Sequence, residues 1–200
     1  MSLFLTALLS MSLVAGGGSS TPGKYSVYGF LGYGMSAFDE DFLDPWDQEA
    51  YVPAGAQFFY QVSPKFQVGA EFELCAKEFS WEEEYYEAGY YWDETLDLSM
   101  TTIGLVGRYF IAESFFARGG VASYSGSVEY YDEWYGYTVD GDLESGIGFN
   151  IGGGYLTNVS PKVYAGVEGV YHIVSLEPED FNESYDFNHW AFRGMIGTGF

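Results

Sequence analysis

Phe66-Gln67-Val68-Gly69-Ala70-Glu71-Phe72-Glu73-Leu74-Cys75-Ala76-Lys77 alternates at nearly every step. Phe66, Val68, Ala70, Phe72, Leu74 and Ala76 fall on one side of an extended chain. Gln67, Gly69, Glu71, Glu73, Cys75 and Lys77 fall on the other. Successive side chains of a strand point to opposite faces, so this stretch predicts a strand with one apolar and one polar face. It is longer than the ~9–11 residues with which a tilted strand crosses a bilayer.

Seven further runs share the period, making eight: 24–38, 51–62, 66–79, 96–110, 115–127, 142–156, 162–174 and 187–200. In the sixth, Leu143, Ile147, Phe149, Ile151 and Tyr155 oppose Asp142, Glu144, Gly146, Gly148, Asn150 and Gly152. In the last, Trp190, Phe192, Ile196 and Phe200 oppose His189, Arg193 and Met195. The connections alternate in length. Ser63-Pro64-Lys65, 111–114 and 157–161 are short; 39–50, 80–95, 128–141 and 175–186 are long. Short turns at one end and long loops at the other predict an all-β fold, an eight-stranded antiparallel up-and-down transmembrane β-barrel. Both chain ends then lie on the short-turn side. A soluble barrel would reverse the faces, apolar side inward. Here the large apolar residues gather on one face and the charges and glycines on the other, which favours the membrane.

The strand register is supported by an internal repeat. Residues 62–71 and 159–168 share Val-Ser-Pro-Lys, then apolar, any, apolar, Gly, apolar, Glu, which ends in Glu71 and Glu168. Both copies turn into a strand and set Gly and Glu on the polar face.

The basic residues orient the ambiguous strands. A lipid-facing Lys or Arg costs about 2–4 kcal/mol at mid-bilayer. Arg108 must therefore point inward, sending Ile103, Leu105 and Tyr109 out. Arg118 must do the same, sending Phe115, Ala117 and Val121 out. An unpaired charge inside would be costly, so an interior salt-bridge network is expected among Glu71, Glu73, Lys77, Arg108, Arg118, Glu144, Glu168 and Arg193. Glu168 and Arg193, at similar heights on neighbouring strands, are the leading pair. Eight strands enclose only enough room for their own side chains, so a filled barrel is expected rather than an open channel.

The rest of the composition excludes several classes. Seven Lys and Arg against 29 Asp and Glu give a net charge of -22, which leaves no basic footprint for nucleic acid. Cys75 is the sole cysteine, so there is no internal disulfide and no Cys-based metal centre. Most acids crowd the long connections, among aromatics such as Trp81, Tyr85, Tyr130 and Trp134. These acids invite divalent cations, but Asp39, Asp41 and Asp44 do not complete an EF-hand. The central Gly is missing, and Ala50 occupies the last ligand position. No cofactor and no specific metal site is expected. His172 and Ser175 lie three positions apart, on opposite faces of a strand, so an enzyme is not expected. Residues 1–16 read as an export signal, 17–23 as a linker and 24–200 as the barrel domain.

With these features the chain resembles the small outer-membrane β-barrel superfamily. Its members include the transmembrane domain of outer-membrane protein A and the barrels typified by outer-membrane protein X. The resemblance spans 24–200 and rests on the eight runs, the Val-Ser-Pro-Lys turns and the terminal Gly194-Met195-Ile196-Gly197-Thr198-Gly199-Phe200. It implies a cell outer-membrane location, with lipid and lipopolysaccharide as surroundings. It further implies that the barrel-assembly machinery reads Phe200, Ile196 and Gly194. Thr198 departs from the usual apolar residue of that signal. No periplasmic peptidoglycan-binding domain is expected after the barrel. The expected role is structural or one of surface interaction. The alternatives are an enzyme acting on lipid A and a narrow gated channel for solutes or ions.

Overall fold

The computed structural model describes residues 24–36, 47–49, 51–77, 79–87, 90–132, 135–176 and 185–200. The export signal and linker read at 1–23, and the acids Asp39, Asp41 and Asp44, lie outside the described residues.

The spanning strands are β1 (Tyr25–Ser36), β3 (Val52–Ser63), β4 (Phe66–Lys77), β6 (Tyr90–Phe110), β7 (Phe115–Asp132), β8 (Tyr137–Ser160), β9 (Val163–Ile173) and β12 (His189–Gly199). Each pairs antiparallel with its neighbour in this order, and β12 pairs with β1. The sheet is therefore closed, an eight-stranded antiparallel up-and-down β-barrel with no free edge among its spanning strands. Four short pieces accompany it: β2 (Asp47–Glu49), β5 (Phe79–Glu87), β10 (Ser175–Leu176) and β11 (Tyr185–Asp186).

The short turns at 63–65 and 111–114 lie where the sequence puts them, whereas the third narrows from 157–161 to Pro161 and Lys162, because β8 runs on to Ser160. The long connections differ. β6, β7 and β8 run for 21, 18 and 24 residues, against 11 or 12 for β1, β3, β4, β9 and β12. Much of 80–95 and 128–141 is therefore strand rather than loop. Pairing continues from Phe79↔Leu98 to Glu87↔Tyr90, and from Val128↔Gly141 to Asp132↔Tyr137. The dense Tyr and Trp of these segments favour extended backbone even among many acids. One tip turns at Gly136, whose φ of 64° is the left-handed conformation that glycine adopts without steric penalty.

The outward face is apolar on every spanning strand. Leu31, Phe58, Phe72, Leu105, Val121, Phe149, Ile173 and Phe192 stand exposed, one from each. Soluble monomers rarely expose a contiguous apolar patch beyond a few hundred Å². A belt that circles the molecule while arginines lie buried inside is the polarity of a membrane barrel.

The interior carries more than the polar faces of the strands. Large apolar residues also point inward, in two clusters. Tyr28, Phe30, Phe59, Val106, Phe110, Phe116, Leu156, Tyr164 and Met195 pack toward the short-turn end. Tyr51, Leu98, Met100, Ala122, Tyr124, Leu143, Val174, Leu176 and Ala191 pack toward the long-loop end. Down β12 the inward residues run His189, Ala191, Arg193, Met195. Ala191 belongs to the upper cluster and Met195 to the lower, so the Arg193 layer lies between two apolar layers. Tyr51 fits because its bridge partner is Gly34: a Cβ there would come within 1.7 Å of the Tyr51 ring.

Candidate functional site

The site is the charged layer at mid-barrel. Inward parity on β4 brings in Glu71 and Glu73, on β6 Arg108, on β7 Arg118, on β9 Glu168 and on β12 Arg193, all buried. Three carboxylates meet three guanidiniums.

Glu168 is the hub. It accepts from Arg118 Nη1 at 2.9 Å, Arg108 Nη2 at 3.1 Å and Arg193 Nη1 at 3.2 Å. Glu168 and Arg193 are also direct register partners on β9 and β12. Arg118 grips Glu71 with both ends of its fork, Nη1 to Oε2 at 2.8 Å and Nη2 to Oε1 at 3.1 Å, the bidentate geometry that makes such pairs strong. Arg193 Nη1 lies 3.2 Å from Glu71, and its Nη2 forms an ion pair with Glu73.

Neutral groups complete the layer. Gln57 donates to Glu71 at 2.5 Å and to Glu168 at 2.7 Å while its Oε1 accepts from Arg108 at 2.5 Å. Asn150 accepts from Arg118 Nη2 at 3.0 Å. The Arg108 guanidinium also lies 4.1 Å from the Phe59 ring centroid and 4.6 Å from that of Phe116. Aromatic faces thus hold part of its charge where carboxylates do not.

One expected member is absent from this layer. Glu144 is exposed and Leu143 buried, the reverse of the sequence reading. The cause is a β-bulge: Tyr124 pairs with Gly146 but Gly126 with Leu143, so β8 carries an extra residue opposite Ser125. One inserted residue inverts the faces beyond it. The inversion puts Leu143 into the upper apolar cluster and leaves Glu144 outside. Burying Glu144 would have set a fourth carboxylate against three arginines. The Lys77 side chain lies outside the described residues, although its backbone is in register with Val52. Phe200, Ile196 and Gly194 all lie on the outward face.

Sequence reasoning missed Gln57, Asn150, Tyr124 and the two histidines as interior partners. All sit on inward parity, and that was the available signal. Their neutral side chains carry no charge, and charge was what fixed the faces of the other strands. His172 is buried and Ser175 exposed, so they do not meet as base and nucleophile.

The layer is buried. Arg108 is 0% exposed, Arg193 1% and His172 0%. One apolar cluster lies above it and another below.

Comparison with known proteins gives a fold. No family model matches the chain, and no curated protein matches it in sequence. Among solved structures, Neisserial surface protein A superposes with a TM-score of 0.57 at 10% identity, over 89% of this chain and 98% of that one. Ail, the attachment invasion locus protein of Yersinia pestis, superposes with a TM-score of 0.52 at 14% identity, over 88% and 98%.

Proposed function

We propose that this chain, which has the fold of the small outer-membrane β-barrels, is an outer-membrane protein and serves that membrane as a structural and surface-contact protein, not a conduit. The observation that carries this is the sealed interior, in which charged residues 0–5% exposed lie between two apolar clusters. Ion flow would require water beside Arg108, Arg118 and Arg193, and their burial leaves no room for it.

The surface half of the proposal rests on the outer ends of β5 to β8. These stand beyond the length needed to span the bilayer and so project from the membrane. Their backbone register pairs acidic positions: Glu83↔Glu94, Glu84↔Asp93, Asp97↔Glu129 and Glu129↔Asp140. Like charges directly opposed destabilise a sheet. A folded hairpin that tolerates them is served by a polar surrounding rich in cations, such as the cation-bridged phosphates of lipopolysaccharide. Divalent ions and lipopolysaccharide are therefore the proposed partners of this surface, and the barrel-assembly machinery is the proposed reader of Phe200, Ile196 and Gly194.

Planar-bilayer recording of the refolded protein tests the sealed interior. Wild type is expected to insert without steady current. Arg193→Ala, which opens space in the charged layer, is expected to admit brief current steps. A large steady wild-type conductance would refute the proposal.

A further inference from the structure

Two buried histidines lie beside the ring of charge. His172 and His189 are direct register partners on β9 and β12. Their rings stack with centroids 4.4 Å apart and planes 6° from parallel. Across the lumen, Glu73 on β4 reaches within 4.0 Å of His172 Nε2. One ligand atom from each of Glu73, His172 and His189 lies within 4.8 Å of the other two, and all three residues are buried.

The hydrogen bonds define which nitrogen carries the lone pair. His189 Nδ1 lies 2.9 Å from the Phe187 carbonyl oxygen, which only accepts. His189 therefore carries its proton on Nδ1 and its lone pair on Nε2. Arg193 Nη2 lies 3.0 Å from His172 Nε2, and a guanidinium only donates. His172 therefore carries its lone pair on Nε2 too, and Nδ1–H donates to Tyr124 Oη at 3.0 Å. Both imidazoles thus have Nδ1–H tied to an oxygen and carry the lone pair on Nε2. This is the outer-shell arrangement that orients metal-bound histidines.

We propose that Glu73, His172 and His189 form a binding site inside the barrel for a divalent first-row transition ion of the Zn²⁺ or Co²⁺ type. Two imidazoles and one carboxylate suit such ions, with a further position left for water. Binding needs two adjustments. The parallel rings tilt so that the ligand atoms close toward the ~3.3 Å spacing that bond lengths of ~2.0–2.1 Å impose on a tetrahedral site. Arg193 Nη2, the cation now touching both Glu73 and His172, gives way to the ion. Arg193 keeps its Nη1 contacts with Glu71 and Glu168, both at 3.2 Å. The ion adds positive charge to a layer that balances three arginines against three glutamates, and this restrains its affinity. The upper apolar cluster lies over the histidines, so the ion enters as the barrel closes.

The test uses the full chain, stripped of metal and refolded in detergent with or without Zn²⁺ or Co²⁺. Zn²⁺ is expected to shift the ¹⁵N Nε2 resonances of both histidines. Co²⁺ is expected to remain with the barrel through gel filtration and to show visible absorption of a nitrogen–oxygen ligand set. His189→Gln is expected to abolish that absorption, and Tyr124→Phe to weaken Zn²⁺ binding about 10- to 100-fold by loosening His172. The outer acids bind ions without involving imidazole, so the histidine resonances separate the two sources. Histidine resonances unmoved by Zn²⁺ in the folded wild type would overturn the proposal, and that measurement needs no variant to fold. Equal Co²⁺ absorption in wild type and folded His189→Gln would overturn it as well.

Discussion

Glu168→Ala is expected to cost about 3–5 kcal/mol of stability, the usual loss when one partner of a buried charge cluster is removed. Glu168 accepts from Arg108, Arg118, Arg193 and Gln57. Without it, three buried arginines share Glu71 and Glu73. The apolar clusters above and below admit little water to take its place. Glu168→Gln keeps the volume and removes the charge, so it is expected to cost nearly as much. The measurement is urea unfolding in lipid vesicles, followed by tryptophan fluorescence and by gel mobility before and after heating. Glu144→Ala is the control. Its side chain is exposed, and its removal is expected to change stability by no more than about 0.5 kcal/mol. Equal losses from the two substitutions would contradict the bulge that separates them.

The difference between these two glutamates shows what the sequence carries and what it does not. Period 2, turn chemistry and the cost of a lipid-facing arginine were enough to place Arg108, Arg118, Arg193, Glu71, Glu73 and Glu168 inside. These are local properties of each strand. Glu144 failed because a bulge is set by the partner strand, and nothing within 142–156 announces the extra residue opposite Ser125.

The apolar layers were hidden for another reason. On β1 both faces carry aromatics, Tyr25 and Tyr33 outward, Tyr28 and Phe30 inward. Hydrophobicity alone cannot orient such a strand, and no charge breaks the tie. The outer hairpins were read as loops because acids are poor strand formers, whereas their aromatics and cross-strand pairing prevail. The meeting of Glu73 with the histidine pair depends on ring closure, since β4 faces β9 and β12 only across the lumen.

Leu105→Arg is expected to destabilise the barrel in lipid by about 2–4 kcal/mol. Leu105 is 67% exposed on the apolar belt. It stands five positions above Phe110, the short-turn end of β6. A rise of ~3.3 Å per residue at a tilt of ~45° lifts it roughly 12 Å, near the middle of a band about 25 Å tall. The new guanidinium cannot turn inward, because the neighbouring inward positions hold Gly104, where a Cβ would meet that of Ala122 at 2.5 Å, and the buried Val106. It is also too far from either interface to reach a headgroup without thinning the bilayer. Val139→Arg is the matched control. Val139 is 52% exposed but lies on the projecting end of β8, where the expected cost is about 0–1 kcal/mol. Unfolding both variants in vesicles of matched thickness yields the difference. If the apolar belt faced water, Leu105→Arg would be neutral or would improve solubility. A loss confined to Leu105→Arg therefore ties the belt to lipid.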